Sequence, residues 1–102
     1  MPSVREALQR MQRELDSARR EDAVLLKLIH GYGSTGVGGD IRIAVQKRLR
    51  EMVDSSEIRD CIFGENWLTA DETTWRLLQK SPELKKDPHL GRKNPGITIV
   101  VL

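Results

Sequence analysis

The sequence predicts a single α/β domain over 1–102 with a modest two-layer core: three strands, two long helices and a shorter third. Three observations carry this. Residues 3–20 and 41–53 repeat apolar side chains at spacings of three and four, the period of helices that bury one face. Between them Val24 to Ile29 is apolar except for Lys27, and a run this short and sharply bounded reads as a buried strand. Ile97 to Leu102, ITIVVL, is rich in β-branched residues and is entered through Pro95-Gly96. A length of 102 residues suits one such domain and is too short for separate cofactor and substrate domains.

In chain order, Ser3 and Glu6 have the spacing of a capping box, so the first helix begins almost at once and runs to about Arg20. Val4, Leu8, Met11, Leu15 and Ala18 form its apolar face, and Arg5, Arg10, Arg13, Arg19 and Arg20 its solvated ones. After the strand and a glycine-rich loop, Asp40 is placed to cap a helix from Ile41, whose apolar face is Ile41, Ala44, Val45, Leu49, Met52 and Val53. Arg42, Gln46 and Arg50 make one stripe on its outer side, with Lys47 beside them. Ile58 to Phe63 reads as a second strand. Thr69 with Glu72 forms another capping box before Trp75, Leu77 and Leu78, in a helix that Pro82 ends. Trp67 and Trp75 read as packing residues. Residues 84–95 combine basic side chains, two prolines and a glycine in what reads as a mobile loop.

Composition narrows the function. Charged residues are 31% of the chain, as in a globular domain with a well-solvated surface. The net charge of +2 is too mild to argue for nucleic acid alone. The basic excess lies in the first half, which also holds the glycine loop. The lone Cys61 cannot form an internal disulfide and reads as an inert thiol, which fits a cytoplasmic protein. No stretch is apolar for long enough to cross a membrane, and no secretory signal is apparent. No metal or other cofactor is indicated: His30, Cys61 and His89 are far apart, and Asp40, the acid nearest the loop, is explained as a cap. A divalent ion held by carboxylates stays open.

The loop itself carries the strongest signal. Five of the eight glycines fall between Gly31 and Gly39. Between a strand end and a helix N-terminus, such residues let backbone N–H groups close on an anion. Gly31-Tyr32-Gly33-Ser34-Thr35-Gly36 matches G-x-G-x-x-G, but its last glycine stands three residues short of the helix. A phosphate-binding P-loop fails too, because Val37 and Gly38 stand where Lys and Ser/Thr are required.

LIHGYGSTGVGGDIRIAVQKRL resembles the HGxG core of the small MutS-related (Smr) domain, and Asn94 to Val100 is similar to that family's closing glycine and strand. The resemblance covers nearly the whole chain. It implies a two-layer sandwich of a small mixed β-sheet and helices, like the C-terminal domain of translation initiation factor 3. It also implies DNA or RNA binding and a nicking endonuclease activity. The family begins with a strand ending in Leu-Asp-Leu-His-Gly, whereas this sequence starts at Met1-Pro2-Ser3, where that motif would have just ended. On this reading the domain is short of its first strand, nicking is weakened or lost, and strand 24–29 keeps an unpaired side through which copies could associate.

The resemblance makes His30 the candidate catalytic residue, as acid/base or phosphate donor; without it, a lone histidine at a strand end reads as hydrogen-bonded locally. It matches Gly31 and Gly33 to the HGxG glycines and Arg42 to the basic residue opening the next helix. Tyr32 can stack on a base or pack over the loop, Ser34 lies in the same loop, Arg50 adds a nucleic-acid-binding position on the second helix, and His89, Arg92 and Lys93 read as a solvated loop or as an extension of the phosphate track. Two other classes stay open: a protein-interaction or self-associating module without catalysis, and a small-anion binder or phosphotransfer enzyme.

Overall fold

In chain order the computed structural model, which describes residues 3–32 and 39–102, runs α1 (Val4–Arg20), β1 (Leu25–Ile29), α2 (Asp40–Asp54), β2 (Asp60–Phe63), α3 (Glu72–Lys80) and β3 (Ile97–Val101). The expected capping box starts α1: Ser3 Oγ accepts from the Glu6 N–H at 3.1 Å, and Glu6 Oε1 faces the Ser3 N–H at 3.4 Å. Helix α2 begins differently. Gly39, at φ +81°, is its N-cap, and Asp40 is the first helical residue, with Oδ1 accepting from the Ile41 N–H at 3.0 Å. Helix α3 is capped by Asp71 rather than Thr69, because the Asp71 carboxylate sits one turn before Thr74 and accepts its N–H at 3.0 Å.

The strand order is β1-β3-β2, with β3 antiparallel to both neighbours. The sheet is therefore antiparallel throughout, not mixed: β1 and β2 run the same way, but β3 separates them. Cross-strand alignment puts Leu26, Leu28, Cys61, Phe63, Thr98 and Val100 on one face. There α1 contributes Ala7, Met11 and Leu15, and α2 contributes Ile41, Val45, Leu49 and Met52, giving the two-layer α/β arrangement its main core. On the other face Ile62, Ile97 and Ile99 pack with Trp67 and Leu78 in a smaller core. Trp67 is wholly buried, whereas Trp75 is exposed.

Two further expectations change. The run at 24–29 is an edge strand in which only Leu28 is buried; Val24 is 71% and Ile29 63% exposed. Residues 84–95 are pinned rather than loose. Asp87 Oδ1 accepts from Lys27 Nζ at 2.6 Å, and Oδ2 accepts from Trp67 Nε1 at 3.0 Å and from the His89 N–H at 3.1 Å. Leu84 and Leu90 pack on the smaller core, and the Gly91 N–H donates to the Trp67 carbonyl.

Gly64, just after β2, is fixed by space. A Cβ there would lie 1.7 Å from the Asn94 carbonyl oxygen and 2.8 Å from that of Ile97. Both obstacles are backbone, so Gly64→Ala should destabilise the fold by about 3 kcal/mol, read as a lower urea midpoint; an unchanged midpoint would show that the two segments can part cheaply.

Candidate functional site

The C-terminal ends of β1 and β2 and the start of β3 lie at one end of the sheet, where Ile29 faces Ile97 and Phe63 faces Thr98. The chain leaving β1 is gathered onto the segment entering β3. The N–H groups of His30 and Gly31 both donate to the Gly96 carbonyl, at 3.0 and 2.9 Å. Gly31 turns there at φ +75°, and a Cβ on Gly96 would come within 3.3 Å of its Cα. Helix α2 joins the same place through the Arg42 N–H, which donates to the Tyr32 carbonyl at 3.1 Å.

His30 is held at both ring nitrogens. Nδ1 lies 2.8 Å from the Gly31 carbonyl, which can only accept, so Nδ1 carries the proton of the neutral ring. Nε2 then accepts from Thr98 Oγ1 at 3.0 Å, and Thr98 is completely buried. Burial lowers the His30 pKa, against the smaller opposing effects of the Gly31 carbonyl, Glu65 and Glu14. The side chain is thus a neutral tie between β1 and β3 in this arrangement.

Arg42 and Gln46 point from α2 toward Glu65 in the 3-10 turn after β2. Arg42 Nη1 is 3.5 Å from Glu65 Oε2, and Gln46 Nε2 donates to both carboxylate oxygens at 3.0 and 3.2 Å. Arg50, the third member of the stripe, lies with its guanidinium 5.0 Å from the Phe63 ring centroid. The stripe is therefore not on the outer side of α2 as expected: Gln46 is buried, and the stripe lies against residues 63–65, where Glu65 and Phe63 meet it.

Tyr32 is 52% exposed. Its hydroxyl donates to Asn94 Oδ1 at 2.9 Å, and the same oxygen accepts from the Gly96 N–H at 2.8 Å. Arg92 and Lys93, both exposed, immediately precede Asn94, so the basic segment ends against the tyrosine. Of the sequence-predicted residues, His30, Gly31, Tyr32 and Arg42 thus come together with the 92–94 segment. Arg50 stands about 12 Å along α2 from Arg42. Gly33 and Ser34 lie outside the described residues. Glu65, Asn94 and Thr98 complete the site without having stood out in the sequence.

Cys61 faces the main core, and burial pushes its thiol up to about 11, so it is protonated and unreactive at neutral pH. Among the described residues no group of three or more His, Cys, Asp or Glu side chains could hold a metal ion, and no helix is long and apolar enough to cross a membrane. No protein-family model, curated protein or solved structure matches the chain.

A lowered folded pKa means that the unfolded chain takes up the His30 proton first as the pH falls. The stability contributed by neutral His30 is complete above its ordinary value of 6.5 and is lost as the pH drops through the folded value. The urea midpoint should therefore fall more steeply between about pH 7 and 5 in the native chain than in His30→Gln; parallel profiles would place the ring in solvent. Asp87 has the same sign lower down. Burial raises its pKa, but hydrogen bonds from Lys27, Trp67 and the His89 amide outweigh this and hold it below its ordinary 3.8.

Proposed function

We propose that this chain is an Smr-like nucleic-acid-binding domain, and that DNA or RNA binds at the sheet end formed by His30, Gly31, Tyr32, Arg42 and the 92–94 segment. The observation that carries the reading is the Tyr32 to Asn94 hydrogen bond. It ties an exposed aromatic ring, able to stack on an unpaired base, to the residue that follows Arg92 and Lys93 in the chain. Arg42 adds a guanidinium at the start of α2, where helix polarity also favours a phosphate. Its partner Glu65 keeps a second donor, Gln46, so a phosphate can take over Arg42 without stranding that carboxylate. Arg50 extends the cationic side of α2 farther from the ring.

Binding is favoured over cleavage in this reading. A histidine whose nitrogens serve Gly31 and Thr98 must leave one of them before it can move a proton for a substrate. Residual nicking by His30 is the finer alternative. A cytoplasmic setting accompanies the proposal, since Cys61 is the only cysteine in the sequence.

A second reading has its own observation. The Leu102 N–H donates to Val24 and the His30 N–H to Gly96, so the even-numbered residues of this run turn their backbone groups toward β3. Leu25, Lys27 and Ile29 consequently present theirs outward, on an edge that no other strand of the described residues covers. A self-associating or protein-interaction module would use that edge, although Lys27 in its middle is a residue type that blunts such pairing.

The test is binding to labelled single- and double-stranded DNA and RNA across a salt titration with Mg²⁺, with products run on a denaturing gel. Affinity should fall with salt, and Arg42→Ala should weaken it and reduce the logarithmic salt slope by about one. Cut products that vanish in His30→Ala while binding persists would assign nicking to that residue. Absence of binding at low salt would overturn the proposal, and sizing would then decide for or against the strand edge.

A further inference from the structure

The far end of the sheet holds a feature with no part in that reading. A groove of about 340 Å³ runs between β2 and α3, near the start of β2 and the end of β3. Ile62, Leu77 and Val101 supply apolar surface within it. Arg59 stands on the strand side, Arg76 and Lys80 on the helix side, and all three are exposed. The acid in the lining, Asp60, is turned to its own backbone, its Oδ1 accepting from the Cys61 N–H at 2.8 Å. Arg76 meets Glu72 at 3.8 Å, with both side chains mostly in solvent, a pairing that an incoming anion can replace at little cost. Among the described residues Arg59 and Lys80 form no salt bridge.

We infer that this groove is a docking site for an extended peptide segment in which acidic and apolar residues alternate. Charge complementarity selects the acids, and the apolar lining selects what lies between them. The spacing agrees with an extended chain. Arg76 and Lys80 are one turn apart on α3, about 6 Å along its axis, and alternate side chains of a strand repeat at about 6.6 Å. Acids at alternate positions can therefore meet Arg76 and Lys80 on the helix wall, while the intervening residues turn toward the strand wall at Val101 and the edge of Ile62. Nucleic acid fits this place less well. Among the described residues the lining contains no aromatic ring on which a base could stack, and a phosphate backbone gains nothing from apolar surface. The inference stands independently of the nucleic-acid proposal, because the two sites lie at opposite ends of the sheet.

The probe is a short fluorescein-labelled peptide of alternating glutamate and leucine, titrated into the whole chain, with a glutamate–serine peptide and a single-stranded oligonucleotide for comparison. The glutamate–leucine peptide should bind, weaken with salt, and shift the backbone NMR resonances of Arg59, Ile62, Leu77 and Val101. The double variant Arg76→Glu/Lys80→Glu changes only exposed side chains and should lower its affinity about tenfold. Arg59→Glu should weaken the peptide from the opposite wall. Oligonucleotide binding should fall far less than peptide binding in both variants, by no more than the change in net charge accounts for. The inference is overturned if the glutamate–leucine peptide does not bind at low salt, if the glutamate–serine peptide binds equally well, or if the oligonucleotide displaces the peptide and shifts the groove resonances.

Discussion

All hydrogen bonding between strands in this sheet passes through one segment, Ile97–Val101. Among the described residues β1 and β2 each have a single neighbour, and it is the same one. Residues 97–100 are accordingly buried on both faces, with Val100 in the core beneath α1 and α2, and Ile97 and Ile99 in the core around Trp67. A run of five β-branched residues meets that requirement, since such side chains pack well on a pleated surface and only the single threonine needs a hydrogen-bond partner. Thr98, the threonine within the run, is also the residue that receives His30.

The proposed binding end follows from this arrangement. Two strands enter it running the same way and one leaves between them, so three chain segments must pass in a confined space. The glycines at 31, 64 and 96 make the passage possible, each at a turn or where another backbone comes close. The same crowding puts polar side chains from four parts of the sequence within reach of each other. His30 is fixed as a neutral ring, Glu65 is shared by Arg42 and Gln46, and Asn94 joins Tyr32 to the turn into β3. Charge at this end is thus partly balanced within the protein, and an added phosphate would alter an existing pairing rather than fill an unopposed cationic pocket.

The helices were legible because their signals are local. Ser3 with Glu6 and the spacing of Met11, Leu15, Val45 and Leu49 place each apolar face without knowledge of the rest of the chain. The helix starts at 39–40 and 71–72 were less so, because neighbouring glycine, aspartate and threonine residues offer competing caps and the backbone decides among them. An apolar run overstates the burial of the first strand, since whether a strand is central or at an edge depends on a partner far along the chain. The missed site residues share that origin. Glu65 and Asn94 sit in irregular segments and gain their role only when α2 and Tyr32 arrive, and the constraint on residues 84–95 comes from Lys27 and Trp67, which no local pattern connects to Asp87.

That last constraint bears on how the chain meets a protease. Lys85, Lys86, Arg92 and Lys93 are exposed and lie in a stretch that composition alone would present as easily cut. Cleavage requires several residues to pull free and lie extended in an enzyme's cleft, which here means withdrawing Leu84 and Leu90 from the smaller core and separating Asp87 from Lys27 and Trp67. Such an opening belongs to the cooperative unfolding of the sheet's second face more than to the fraying of a surface loop. The segment joining α3 to β3 is in this sense a structural strap, and its nicking would report the life of the folded core.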